Sequence, residues 1–274
     1  MPGIPAQRTL GKLLDSQGPR LYRLALRLCH NEADAADMVQ DVFLQAYRKW
    51  HTFEGRANPG TWLYAIAARA CKARTRRKGG VDRRMPSFSQ VAPWRESTVA
   101  DLPVADPGAS PATEAVRRES TRAVRDAILA LPEHFRVPLL FKEVLELSVE
   151  DVAEALGMKP ETVKTRVHRA RLALRKAILS RLPRREAPAP IYEKQVCVDL
   201  LRAKLEAMDR GRGFPIGREV LCERCRAVFG ELDLAQDTCA HLADGPMPER
   251  VRAAVVRLLN AGRASPPQSA RPRG

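Results

Sequence analysis

Apolar positions in the first eighty residues recur at helical spacing. Leu21, Leu24, Ala25 and Leu28 make one apolar face, and the pattern breaks at Cys29-His30-Asn31-Glu32. A second helix is predicted from about Ala33, with Met38, Val39, Val42, Phe43 and Ala46 as its buried set. A third is predicted from Thr61, placed as its cap, and the periodicity stops at Gly79-Gly80. The stretch that follows carries Pro86, Pro93, Pro103, Pro107 and Pro111 without a sustained apolar period, which predicts an extended linker. Helical patterning returns from Ala115 to Leu182, stops at Pro183 before a second breaker cluster with Pro188 and Pro190, and resumes from Ile191 to about Asn260. The expected organisation is all-α: a helical domain over residues 7–80, a linker over 81–113, a second helical domain over 114–183, a small Cys-containing helical domain over 191–260 and a disordered tail over 261–274.

The sharpest local pattern lies in the second domain. Ser148 is placed as a helix cap with Asp151 three residues on; Val149, Val152, Ala153 and Leu156 form a buried stripe, and Gly157 stops the helix. Pro160 then suits the first turn of another helix, whose inward face is Val163, Val167, Ala170 and Leu174. This is a helix-turn-helix. Its second helix leaves Glu161, Thr162, Lys164, Thr165, His168 and Arg169 on the outer arc for a major groove, with Arg166 and Arg171 nearer the flanks for phosphates.

Charge sharpens the picture. The chain has 274 residues with 47 Lys+Arg against 32 Asp+Glu, a formal net charge of +15, which points to a polyanionic partner. Against that background the helix with Asp34, Asp37, Gln40 and Asp41 is acidic, either as a solvated face favoured by the helix dipole or as a docking face for a basic partner. Residues 56–78 hold no acidic residue. There Trp62 and Tyr64 precede Arg69, Lys72, Arg74, Arg76 and Arg77, a combination suited to melted nucleic acid, where rings stack on bases and cations neutralise phosphates. Trp62, Leu63 and Ile66 also suit a core face. No P-loop, zinc-hydrolase spacing or nucleophile triad appears, so no enzyme is expected. No run approaches eighteen apolar residues, and a soluble, cytoplasmic protein without a membrane partner is expected.

Together these units resemble regions 2 and 4 of the bacterial sigma-70 superfamily, in particular its extracytoplasmic-function (ECF) group. The resemblance covers residues 7–182 and rests on four segments in order: residues 34–43, residues 61–67, Leu131-Pro132-Glu133-His134-Phe135-Arg136, and residues 161–171. It implies a sigma factor that guides core RNA polymerase, through its beta-prime and beta subunits, to promoter DNA. Asp34, Asp37, Gln40, Asp41 and Phe43 would dock on a beta-prime coiled coil. Trp62, Tyr64, Arg69, Lys72, Arg74, Arg76 and Arg77 would open and read the −10 element, and the helix over 161–171 the −35 element. The linker would thread toward the active centre of the polymerase. Arg69 and Ala73 stand where the family often has Asn and Asp, which implies weaker base selection and more phosphate binding.

The C-terminal third carries Cys197, Cys222, Cys225 and Cys239. The two-residue gap between Cys222 and Cys225 lets both thiolates reach one metal, with Cys197 and either Cys239 or His241 completing a four-ligand Zn2+ site. A redox-active pair and plain buried thiols are the alternatives. The segment is similar to the zinc-binding anti-sigma domain, although Arg218 stands where that family places a His. The resemblance implies regulation by this fused domain, or by a separate anti-sigma factor, with a sign that sequence does not give. A stand-alone helix-turn-helix regulator with a metal- or redox-sensing tail is the rival reading.

Overall fold

In the computed structural model of the chain, the described residues are 6–29, 31–55, 58–77, 94, 97–101, 111–242 and 245–261. They form ten helices and two short strands: α1 (Ala6–Leu28), α2 (Glu32–Arg48), α3 (Pro59–Arg77), β1 (Thr98–Ala100), α4 (Pro111–Ala130), α5 (Glu133–Glu143), α6 (Val149–Leu156), α7 (Pro160–Leu179), β2 (Arg184–Glu186), α8 (Lys194–Asp209), α9 (Glu223–His241) and α10 (Glu249–Ala261). The chain divides into two units. One holds residues 1–80, 154–157 and 244–274; the other holds 81–153 and 158–243.

In the first unit, the pattern break before the acidic helix is a cap. Asn31 is extended and its side chain accepts the Asp34 N–H at 2.7 Å, so α2 starts at Glu32 with two carboxylates in its positive first turn. The third helix starts earlier than expected. Asn58 Oδ1 accepts the Gly60 N–H at 2.8 Å and Pro59 opens α3, whereas Thr61 is buried inside it. The core gathers Leu10, Leu14, Leu21 and Leu24 of α1 with Met38, Val42 and Phe43 of α2 and Leu63 and Ile66 of α3.

α10 belongs to this unit too, although the hydrophobic pattern groups it with the preceding C-terminal helices. Val251, Val255 and Leu259, at spacing i, i+4, i+8, are buried where α10 lies on α1 and α2. Burying three such side chains contributes roughly 2 kcal/mol each before ordering costs. Met247, just ahead of the helix, reaches Gly18 of α1. The ion pairs Arg250–Glu32 (2.7 Å) and Arg252–Asp15 (2.8 Å) are exposed, so they fix register and add little energy.

In the second unit, Ser148 Oγ accepts the Asp151 N–H at 3.0 Å and donates to Asp151 Oδ2 at 2.6 Å, which opens α6. Gly157 has φ of 64° and ends it. Pro160 opens α7, which packs on α4, α5 and α9. The expected linker contains a strand that the sequence pattern does not show. β1 pairs antiparallel with β2, in register Thr98↔Glu186, Val99↔Arg185 and Ala100↔Arg184. Three residues carry too little alternation to declare a strand before their partner is known. The other linker residues, 81–93, 95–96 and 102–110, and the tail from 262 lie outside the described residues. No described helix is long and apolar enough to cross a membrane.

The Ser148 cap gives a direct check of the helix-turn-helix. Ser148→Ala is expected to lower stability by about 1 kcal/mol, read as a reduced urea midpoint with an unchanged slope.

Candidate nucleic-acid and polymerase interfaces

Asp37 and Asp41 lie one turn apart on α2 and are exposed, while Asp34 and Gln40 are half-buried. Phe43 differs from the expectation of a docking residue. It is 0% exposed, because it falls in the stripe Met38, Val39, Val42, Ala46 that faces α1 and α3, so it supports the acidic face from beneath.

The start of α3 sorts its aromatics in the same way. Tyr64 is 2% exposed and donates its hydroxyl proton to Gln17 Oε1 at 2.6 Å, which makes it part of the helix packing and not a platform for bases. Trp62 is half-buried in a three-ring cluster, with ring centroids 5.7 Å from Trp50 and 5.4 Å from Phe53. Its neighbour in that cluster, Trp50, is half-buried too and was not singled out from sequence, because it lies in the short 3-10 turn outside the helical periodicity. Arg69 is exposed. Lys72, Arg74, Arg76 and Arg77 lie on α3, but their side chains fall outside the described residues, as does that of Ala73.

On α7, Glu161 and Thr165 are exposed, and Thr162, Lys164, Arg166 and Arg169 are half-buried. Arg169 stacks its guanidinium 4.7 Å from the Phe135 ring centroid. Lys164 lines a cleft of about 620 Å³ whose other wall is the end of α8 and the turn after it, from Glu206 to Arg212. The remaining two residues depart from the expectation of a free DNA surface. His168 Nε2 donates to Asp209 Oδ2 at 2.7 Å, and Arg171 is 2% exposed. Arg171 Nη1 meets Asp209 Oδ1 at 2.5 Å and its Nε donates to Glu143 Oε1 at 2.8 Å. The two carboxylates flanking Arg171 raise its pKa further, against the effect of burial. One turn on, Arg175 and Glu231 of α9 are both fully buried and pair at 2.6 Å.

The signal for these buried cations was present in the sequence. Arg171 follows Val167 by four residues and Arg175 follows Arg171 by four, so both fall in phase with the inward stripe of the helix. Cations in that phase are buried, and buried cations demand carboxylates. Glu143, Asp209 and Glu231 answer that demand, and their positions become visible only when the tertiary structure places them.

The thiols divide as well. Cys222 caps α9 and accepts the Cys225 N–H at 3.4 Å. Burial acts to raise the pKa of Cys222, but backbone N–H groups of Cys225, Ile191 and Arg224 outweigh it and hold the thiol below its usual value. Burial, with Cys222 and Cys197 as neighbours, pushes Cys225 up to about 12. Cys239 lies fourteen residues beyond Cys225 on the same helix, about 21 Å away at 1.5 Å per residue, and His241 lies further still. Neither can share a centre with the other three thiols. Among the described residues no group of three or more His, Cys, Asp or Glu is arranged to hold a metal ion. The residues present therefore do not fit the four-ligand zinc site. Cys222 and Cys225 instead belong to an apolar core with Leu172 of α7, Leu201 and Leu205 of α8 and Val228 and Leu232 of α9, with Cys197 packed at its edge.

Residues 13–80 match the sigma-70 region 2 family and residues 121–174 the sigma-70 region 4 family. The ECF RNA polymerase sigma factor SigW of Bacillus subtilis (strain 168) is 32% identical over 175 residues, which span 63% of this chain and 90% of that protein. The RNA polymerase sigma-H factor of Pseudomonas aeruginosa is 33% identical over 159 residues, 58% of this chain and 80% of that protein. A solved structure, the sigma factor RpoE in complex with the anti-sigma factor NepR from Bartonella quintana, aligns at 23% identity over 61% of this chain and 95% of that chain, with a TM-score of 0.43.

The Asp209 cluster makes a pH prediction. Burial acts to raise the pKa of Asp209, but the His168 hydrogen bond and the Arg171 charge outweigh it and hold the carboxyl below the usual carboxylate value. A depressed folded-state pKa means that its stabilisation is complete above about pH 4 and is lost as pH falls through the folded value. Asp209→Asn is expected to destabilise the full chain by roughly 3 kcal/mol at pH 7 and to flatten the dependence of stability on pH below 4, both measured by urea unfolding.

Proposed function

The chain belongs to the ECF group of the sigma-70 family and directs core RNA polymerase to promoter DNA, and from that premise we propose that its own C-terminal third holds it in an inhibited state. The observation that carries this reading is the occupation of α7, the helix assigned to the −35 element. Asp209 of α8 takes His168, which lies on the outer arc assigned to DNA, and holds the inward-facing Arg171 beside it. A carboxylate there occupies the His168 donor as a phosphate or a base edge would, so DNA and α8 compete for one face. α10 supports the same reading, because it lies on α1 and α2 in the domain that carries the polymerase-docking acids.

In the open form, Asp37 and Asp41 face the polymerase, Asp34 and Gln40 border that face, and Phe43 holds it from within. Trp62 and Arg69 meet the melted −10 strand, joined by the basic end of α3. Glu161, Thr162, Lys164, Thr165, Arg166 and Arg169 meet the −35 duplex. The protein acts by binding and strand separation in the cytoplasm, without a covalent step of its own. A tail tethered to its target has a high effective concentration, so modest contacts keep the closed state populated. The thiols Cys197, Cys222 and Cys225 sit at the core that joins α8 and α9 to α7, which makes that core the place where a thiol-directed signal would loosen the tail. The rival reading as a stand-alone regulator leaves the acidic α2 face and the matched region 2 domain without a role.

Replacing two buried valines of α10 tests the inhibition. Val251→Asp/Val255→Asp is expected to raise run-off transcription by the full chain with purified bacterial core polymerase several-fold. Activity at or below that of the parent chain would contradict it.

A further inference from the structure

Glu231 does more than neutralise Arg175. Its Oε2 meets Arg175 Nε at 2.6 Å, while its Oε1 accepts the backbone N–H of Ala100 at 2.6 Å. Ala100 belongs to β1, in the segment that joins the two promoter-reading domains. One carboxylate of the C-terminal third thus bridges the −35 helix and the interdomain linker, and both the acid and the arginine are fully buried.

The rest of the linker contact is built around that point. Val99 is 1% exposed and shares a core with Leu172 of α7, Leu205 of α8 and Leu232 of α9. β1 pairs with β2, and the pairing continues at both ends: Ala187 N–H donates to Ser97 O at 2.8 Å and Asp101 N–H donates to Pro183 O at 2.8 Å. A two-stranded ribbon of three residues a side is too short to persist by itself. Its stability must come from the Val99 burial and from the charge-assisted bond at Ala100, which is about twice as strong as a neutral one.

We propose that Glu231 is a clasp on the linker: while it pairs with Arg175 it holds β1 on the C-terminal module and withholds the linker from the polymerase, and opening the pair frees the linker together with α7. The proposal rests on the sigma-factor reading above and adds a third element that the tail controls. It also explains the chemistry chosen at this position. An apolar pair would fill the same space at no cost in stability, but only an acceptor can take the Ala100 N–H, and only a charged one ties that bond to the state of α7.

Two double variants of the full chain separate the clasp from general packing. Arg175→Met/Glu231→Gln removes the buried charges and keeps an acceptor for Ala100, whereas Arg175→Met/Glu231→Leu removes both. The Ala100 amide is expected to exchange at least tenfold faster in the Leu variant than in the Gln variant, with the Leu232 and Ile178 amides equally protected in both. Equal Ala100 rates would overturn the clasp. Ala100→Pro deletes the donor and leaves the ion pair in place, so it serves even if the Leu variant loses its fold. It is expected to raise run-off transcription with core polymerase several-fold above the parent chain, and parental activity would overturn the withholding of the linker. Failure of every full-length form, the α10 variant included, to initiate on any genomic fragment would instead overturn the sigma reading, leaving the exchange comparison to decide the clasp alone.

Discussion

Two arginines that face inward from one helix are the constraint on which the second unit is built. Arg171 and Arg175 follow the apolar stripe of α7, and a guanidinium removed from water without a carboxylate costs several kcal/mol. Region 4 supplies one acid of its own, Glu143 on α5. The other two, Asp209 and Glu231, come from α8 and α9. The domain that reads DNA and the segment that follows it are therefore not two independent packages. Removing one partner's side chain while the contact stays closed leaves buried charge on the other, which gives their contact a strict register as well as energy.

That register gives the fused segment a function-bearing geometry. Asp209 sits at the C-terminal end of α8 and takes His168 from the outer arc of α7 and Arg171 from its inward face, so a carboxylate stands against the helix proposed to read the −35 element. Glu231 sits mid-helix on α9 and reaches both the arginine below and the linker backbone above. In the first unit, α10 adds an apolar stripe to α1 and α2, with exposed ion pairs to Glu32 and Asp15 setting its register. Carboxylates engage α7 of region 4 and hydrophobic burial engages α1 and α2 of region 2, each matching what its target offers.

Much of this was legible in the sequence, and the parts that were not share a cause. The all-α class, the pattern break ahead of α2, the Ser148 cap, the Gly157 stop and the Pro160 start are local events, written in a few adjacent residues. The pattern also separated the acidic α2 from the basic α3. What escaped depends on partners distant in the chain: the β1–β2 pair, the return of α10 to α1 and α2, and the carboxylates that meet Arg171 and Arg175. The resemblance gives Phe43 a docking role and the aromatic-basic pattern gives Tyr64 a stacking role, yet helical phase, which already places Phe43 in the buried set, puts both inside. The expected zinc ligands illustrate the same limit, since Cys239 is close to Cys225 in the list of cysteines but four turns away along one continuous helix.

Residues beyond Pro183 are proposed to close a sigma factor that is otherwise competent. Run-off transcription with purified bacterial core polymerase, comparing the full chain with a chain ending at Pro183 across genomic promoter fragments, tests it most directly. Stronger initiation from the shorter chain on the same promoters is expected. Equal or weaker initiation from the shorter chain would contradict it and would make the C-terminal third a support for transcription.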